Sequence, residues 1–294
     1  MTNLNTARLT EISLSVIGAV YNVTTDSRDN LTGGTRVLIH KNSSKKYSRI
    51  YRTILLFPET EKILERVKIL SIYCLSDLHL SFGTDKPMDI FGWNNHTEQI
   101  RANWTRLVGT EDTVVLPGDL SWALQIKDAL PDFQFLESLP GRKILLKGNH
   151  DLWWVTMKKN LAFFEEHNIK SIEFVYNNCA VAEGYAIAGT RGWLLEGGEA
   201  DKKVIAREAG RLRRSLESAS ATGLPILVFL HYPPAYAEER CDELLEILKE
   251  FGIKTVYHGH IHGKGFNRAV SECDGISLKL LSSDCIDFVP FRIV

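Results

Sequence analysis

Five short apolar runs, each ending in side chains that can bind a metal ion or a phosphate, constrain this chain more than any other feature. They read ILSIYCLSDLH, DTVVLPGD, RKILLKGNHD, PILVFLHYPP and IKTVYHGHIHG. A short run of β-branched and aliphatic residues without polar alternation is the pattern of a strand buried on both faces. Helical spacing lies between some of the runs. HTEQIRANWTRLVG places Ile100, Trp104, Leu107 and Val108 on one face, and DKKVIAREAGRLRRSLESA does the same with Val204, Ile205, Ala209, Leu212 and Leu216. Arg211, Arg213 and Arg214 of the latter read as a solvated face. RCDELLEILKEFGI is a third amphipathic helix with Gly252 as its C-cap. Strands alternating with helices predict an α/β architecture. In such folds the loops at the strand ends carry the chemistry.

Each cluster taken singly has a bland reading. Asp77-Leu78-His79 is a common tripeptide, Asp119 follows a glycine as turn aspartates do, and Asn149 suits a left-handed turn. His231 reads as a strand-end histidine and His260 and His262 as surface ones. The set is more specific than its members. Carboxylate, imidazole and amide groups recur after five predicted strands, with no cysteine among them. A mixed nitrogen and oxygen set suits Mn²⁺, Fe²⁺ or Zn²⁺ rather than a soft metal. Seven candidate ligands exceed one closed tetrahedral site and suit two ions sharing a carboxylate. Two ions about 3.5–4 Å apart can clamp the attacking and leaving oxygens of an in-line phosphoryl displacement.

In order, D-x-H, G-D, G-N-H-D, H and G-H-x-H resemble the calcineurin-like metallophosphoesterase superfamily. Here they are Asp77-Leu78-His79, Gly118-Asp119, Gly148-Asn149-His150-Asp151, His231 and Gly259-His260-Ile261-His262, and the resemblance spans about residues 69–290. It implies a four-layer α/β sandwich, two mixed β-sheets flanked by helices, and hydrolysis of a phosphomonoester or phosphodiester. Carried over position by position, it implies that Asp77, His79 and His262 bind one divalent ion and Asn149, His231 and His260 a second. Asp119 would bridge them, and a hydroxide held between the ions would be the nucleophile. His150 would face the phosphate as charge stabiliser or general acid, with Asp151 orienting its ring.

Departures narrow the class. Ser/Thr protein phosphatases of the superfamily extend the second motif to G-D-x-x-D-R-G, where this chain has Gly118-Asp119-Leu120-Ser121-Trp122-Ala123, and their third motif ends in Glu where this chain has Asp151. SDLHLSFG, PGDLSWA, KGNHDLWW and AGTRGW resemble a bacterial cytosolic phosphohydrolase branch. Two other classes stay open: a non-catalytic interaction scaffold of the same fold, and a nuclease. The complete ligand set disfavours the first. A net charge of −1 disfavours the second, for which the basic stretch HKNSSKKYSR is the one supporting feature. The expected partner is a small phosphoester, with no membrane, and nucleic acid is disfavoured. Outside the motifs, His258 reads as a loop histidine and His40, His96 and His167 as structural. Trp122, Trp153 and Trp154 read as core or pocket wall. Arg191 reads as a turn residue, either solvated or able to clamp a phosphate.

Residues 1–66 differ in texture from 67–294. TTDSRDNLTGGTR and HKNSSKKYSR are polar, and the apolar pieces between them are short. A small β-hairpin appendage and a poorly ordered extension both fit. The second is the expectation, with the segment dispensable to the domain that begins at Val67. Five scattered cysteines without a CxxC pair, no signal-peptide pattern and no apolar stretch long enough to span a bilayer predict a cytoplasmic chain.

Overall fold

The computed structural model describes residues 10–16, 19–26, 36–41, 70–193 and 199–294. The chain divides into two units, residues 1–69 and 70–294. In the first, β1 (Thr10–Val16), β2 (Ala19–Asp26) and β3 (Arg36–Lys41) form an antiparallel sheet in that order. The rest of the segment expected to be poorly ordered or dispensable lies outside the described residues, and so does the side chain of His40.

The second unit opens with β4 (Ile72–Cys74), followed by helix α1 (His96–Leu107), β5 (Thr113–Leu116), α2 (Leu130–Ser138), β6 (Arg142–Leu145), α3 (Met157–Glu166) and β7 (Ile172–Phe174). These four strands run parallel in one sheet. A hairpin of β8 (Ala180–Ala182) and β9 (Tyr185–Thr190) then leads to the long helix α4 (Glu199–Ser220) and to β10 (Ile226–Leu230). A small ribbon, β11 (Ala235–Tyr236) and β12 (Glu239–Arg240), precedes α5 (Asp242–Glu250), β13 (Thr255–His258), β14 (Glu272–Cys273), β15 (Ile276–Leu280) and β16 (Phe291–Arg292). The sheet orders are β16-β4-β5-β6-β7 and β14-β15-β13-β10-β9-β8. Both are mixed, because β16, β8 and β14 pair antiparallel at edges of otherwise parallel sheets.

Strand alternation sorts the apolar side chains into three cores. Ile72, Cys74, Val115, Ile144 and Leu146 of the first sheet meet Ile187 and Phe229 of the second. The residues between them point the other way. Tyr73, Leu75, Val114, Leu116 and Leu145 pack against Ile100 and Trp104 of α1, Phe133 and Leu136 of α2 and Phe164 of α3. On the far side Ala186, Ala188, Val228, Leu230 and Val256 pack against Leu212 and Leu216 of α4 and Leu244, Leu245 and Leu248 of α5. The fold is thus two mixed sheets face to face with helices outside, the sandwich the resemblance implied and of the α/β class the alternating pattern predicts. Burial on both faces is why these strands lack polar alternation. It also leaves the strand ends as the places where polar side chains can gather. No helix among the described residues is long and apolar enough to cross a membrane.

Candidate metal centre

The loops that leave β4, β5, β6, β10 and β13 converge, and they carry every ligand-type residue singled out in the sequence. Backbone bonds lock them together. Asp77 N–H donates to Gly118 O (3.0 Å), His79 N–H to Asp119 O (3.0 Å) and Gly259 N–H to His231 O (3.1 Å). Asp77, His79, Asp119 and His260 all sit at positive φ, between 46° and 73°. Four non-glycine residues in the left-handed region cost of order 1–3 kcal/mol each, and such strain persists where surrounding structure imposes it. The motif glycines permit the close approach. A Cβ on Gly148 would stand 2.1 Å from Asp119 Oδ1, and one on Gly259 would stand 2.1 Å from Asp77 Oδ2.

Two groups of ligand atoms result, either of which could hold a metal ion: Asp77, His79 and His262, and Asp119, His231 and His260. In the first, His262 Nε2 lies 3.3 Å from Asp77 Oδ1 and 3.4 Å from His79 Nε2. In the second, Asn149 Oδ1 joins the cluster, 2.6 Å from His231 Nε2 and 3.0 Å from His260 Nδ1. Asp119 stands between the groups. Its Oδ1 accepts the His150 N–H at 2.8 Å. Its Oδ2 is left free, 3.8 Å from His79 Nε2 and 3.4 Å from His231 Nε2.

The donor chemistry fits cations. His231 Nδ1 donates to Pro117 O at 3.1 Å, so in the neutral ring Nε2 carries a lone pair. That lone pair faces the carbonyl oxygen of Asn149. Two acceptors so close repel unless something positive lies between them. With Oδ1 turned toward both His231 and His260, the three atoms could share a cation. Burial pushes the His231 imidazole well below its ordinary pKa, and pushes His79 down to about 3 and His260 to about 4. These rings are therefore neutral at pH 7 and able to coordinate. Burial also raises Asp119, reinforced by the charges of Asp77 and Asp151. For Asp77, burial acts upward but is outweighed by its hydrogen bond to His262 and the charges of His231, His262 and His79, which hold it well below the carboxylate range. His262 is raised to about 10: burial opposes this, and bonds to Asp284 and Asp77 overcome it. A bound divalent ion would supply the positive charge that this proton supplies here.

The second ring of contacts holds residues that the motifs do not name. Asp284 accepts from His262 Nδ1 at 2.8 Å and from the Gly263 N–H at 3.1 Å, which leaves Nε2 of His262 facing the first group. Ser282 Oγ donates to Asp77 Oδ2 at 3.2 Å. Both follow ISLKLL, in which Ser277 and Lys279 alternate with apolar residues, unlike the five unbroken runs.

The His150 ring lies beside Trp122, centroids 4.4 Å apart, and has no hydrogen-bond partner among the described residues. Burial lowers its pKa. Asp151 does not orient that ring, contrary to expectation. Its buried carboxylate accepts the N–H groups of Gly148 (2.7 Å), Asp119 (2.9 Å), Leu120 (2.9 Å) and Ser121 (3.3 Å) and Nε1 of Trp153 (3.0 Å). Side chains of neighbouring residues diverge, and this one turns inward to tie the second motif to the third. Trp122 stacks on His79 at 4.7 Å, with Lys86 Nζ 4.5 Å over its ring, so it is a wall of the site. Trp153 and Trp154 are core. His258, read as a loop residue, is instead the buried last residue of β13. His96 packs edge-on against Trp93, and His167 stacks on Phe163.

A sequence model described as calcineurin-like phosphoesterase matches residues 70–264. The chain belongs to that family. The match contains all seven ligand-type residues, from Asp77 to His262, and stops short of Asp284. A comparison with curated proteins returns no match. Among solved structures the chain is similar to a protein of unknown function from Aquifex aeolicus, 19% identical, covering 76% of this chain and 95% of that one at a TM-score of 0.44. It is also similar to a Thermus thermophilus protein, 14% identical, with 76% and 98% covered and a TM-score of 0.45. A phosphopantetheinyl hydrolase from Mycobacterium tuberculosis, 14% identical, covers 72% of this chain and 88% of its own at 0.41.

Proposed function

We propose that this member of the family is a dinuclear, divalent-metal-dependent hydrolase of phosphomonoesters or phosphodiesters. The observation that carries the reading is the free Oδ2 of Asp119, placed between His79 Nε2 at 3.8 Å and His231 Nε2 at 3.4 Å. Asp77, His79 and His262 would hold one ion, Asn149, His231 and His260 the other, and Asp119 both. Mn²⁺, Fe²⁺ and Zn²⁺ suit the donors. When bound, the pair supplies Lewis acidity to the phosphoryl oxygens and lowers the pKa of water toward 7.

The chain's own groups do the rest. Asp151 holds the two loops in register, so that Asp119 and Asn149 keep their spacing. Asp284 fixes the tautomer of His262, a carboxylate–imidazole arrangement that raises ligand basicity. Trp122 and Trp93 flank His79 and shield that side from water. His150 has an unspent ring and sits beside the site, which supports a role in steadying charge on the phosphoryl group or protonating the leaving oxygen. A small phosphoester is the partner this site supports, and five free cysteines agree with a reducing, cytoplasmic setting.

Mn²⁺-loaded protein screened against p-nitrophenyl phosphate, bis-p-nitrophenyl phosphate, cyclic nucleotides and short nucleic acids tests the reading. EDTA-sensitive turnover of the ester probes is expected. Absence of hydrolysis with every metal and probe would refute it.

A further inference from the structure

A second polar cavity is built on the same strand ends. It is a small cavity where the loops after β6, β7 and β9 meet α4, lined by Lys147, Tyr176, Thr190, Arg191, Glu208 and Arg211, among others. Three cations thus surround one carboxylate. Glu208 is completely buried, and its bonding is spent within the wall. It accepts Thr190 Oγ1 at 2.6 Å and Arg211 Nη1 at 2.6 Å, with Arg191 Nη2 at 3.5 Å. Arg211 Nη2 also donates to Tyr176 Oη at 2.6 Å. It is therefore turned inward and fixed, not part of a solvated face.

Two donors remain unspent. Arg191 Nε is buried and has no hydrogen-bond partner. Lys147 has no hydrogen bond or ion pair among the described residues, although it lines the cavity. A buried, unbonded guanidinium N–H carries an uncompensated desolvation cost. Excess positive charge in a partly closed site adds to that cost. An anion relieves both. A guanidinium edge beside an ammonium group matches the oxygens of a phosphate.

Two of its lining residues are tied through the backbone to the second ligand group. Lys147 is two residues before Asn149, a span of at most about 7 Å. The carbonyl of Arg191 accepts the N–H groups of His231 (3.2 Å) and Tyr232 (2.8 Å). We infer that Lys147 and Arg191, braced by Glu208 and Arg211, form a binding site for a second phosphate group of the substrate. The class of substrate is then a phosphoester carrying another phosphate a few bonds from the scissile one. The substrate assignment rests on the phosphoesterase reading, whereas the anion site itself does not.

The test uses the full chain and two readouts. First, inorganic phosphate is titrated by calorimetry into EDTA-treated protein, wild type and Lys147→Met. Lys147 holds nothing in place, so this variant folds, and a matching thermal midpoint checks it. Phosphate should bind the wild type and bind Lys147→Met at least tenfold more weakly. Arg191→Lys, which keeps the charge but loses the fork, should fall between them. Absence of phosphate binding to the wild type, or equal binding to Lys147→Met, overturns the site. Second, Mn²⁺-loaded enzyme is assayed on glycerol 2-phosphate and on 2,3-bisphosphoglycerate. Lys147→Met should raise KM for the bisphosphate at least tenfold more than for the monophosphate. Equal effects overturn the substrate assignment. Phosphate binding that depends on Lys147, without hydrolysis of any ester, would sink the phosphoesterase reading and leave the anion site standing.

Discussion

Gly148→Ala isolates the packing that spaces the proposed metal ligands. The new Cβ would lie 2.1 Å from Asp119 Oδ1 and 2.2 Å from Asp119 N, whereas ordinary contact begins at 3.4 Å. One side must therefore move by about 1.3 Å, and a displacement of that size at a reacting centre costs about a hundredfold in rate. Neither side can yield freely. Asp151 accepts the N–H of both Gly148 and Asp119, at 2.7 and 2.9 Å, and pins the two loops together. Overpacking of this kind costs about 1–3 kcal/mol of stability. Gly148 is not at positive φ, so the clash is the whole effect. Gly184→Ala gives the opposite case: φ is +81° and nothing lies within 4 Å of the added atom. That variant should lose about 1–2 kcal/mol through backbone conformation alone and keep its turnover. Thermal midpoint, metal content by mass spectrometry and Mn²⁺-dependent kcat on p-nitrophenyl phosphate are measured for both. If Gly148→Ala keeps wild-type metal content and kcat, the ligand spacing is not set by this contact and the reasoning fails.

Three further outcomes are expected. His150→Ala should leave metal content intact and lower turnover about 10²–10⁴-fold, less for p-nitrophenyl phosphate than for an alkyl ester if the ring is the acid; loss of metal would overturn its assignment. Burial raises Asp132 to about 6, against the bonds it accepts from Ser121 and the Phe82 N–H. Its stabilising contribution is thus complete below about pH 4 and lost as pH rises through 6, and wild type should fall by about 3 kcal/mol relative to Asp132→Asn over that window; parallel urea-derived stability curves would contradict this. A chain begun at Val67, read as Met, should fold, bind metal and turn over as the full chain does, and insolubility or a loss of several kcal/mol would show that residues 1–66 are packed onto the domain.

The strands that position the site were legible because they are buried on both faces. In β5, TVVL, three apolar residues follow Thr113 and every position is buried. β7 and β8 were not legible: IEF and AVA are three residues long, each with its middle side chain exposed. β15 alternates, ISLKL, and so hid the strand end that delivers Ser282 and Asp284. Motif order picked out the ligand-type residues that converge, since each loop carries its own. It could not place Asp151, because adjacency in sequence gives no direction to a side chain. The phosphate cavity was the least legible part. Lys147, Arg191 and Arg211 come from three separate elements, and no local pattern joins them. Arg211 looked solvated because its partners, Glu208 on the same helix and Tyr176 after β7, define an inward direction that only the packed fold supplies.

Diffraction at the manganese absorption edge, from crystals grown with Mn²⁺, tests the central claim most directly. Two anomalous peaks are expected. One should contact Asp77, His79 and His262, the other Asn149, His231 and His260, with Oδ2 of Asp119 touching both. A single peak, or two peaks of which only one touches Asp119, would contradict the shared-carboxylate centre on which the proposed chemistry depends.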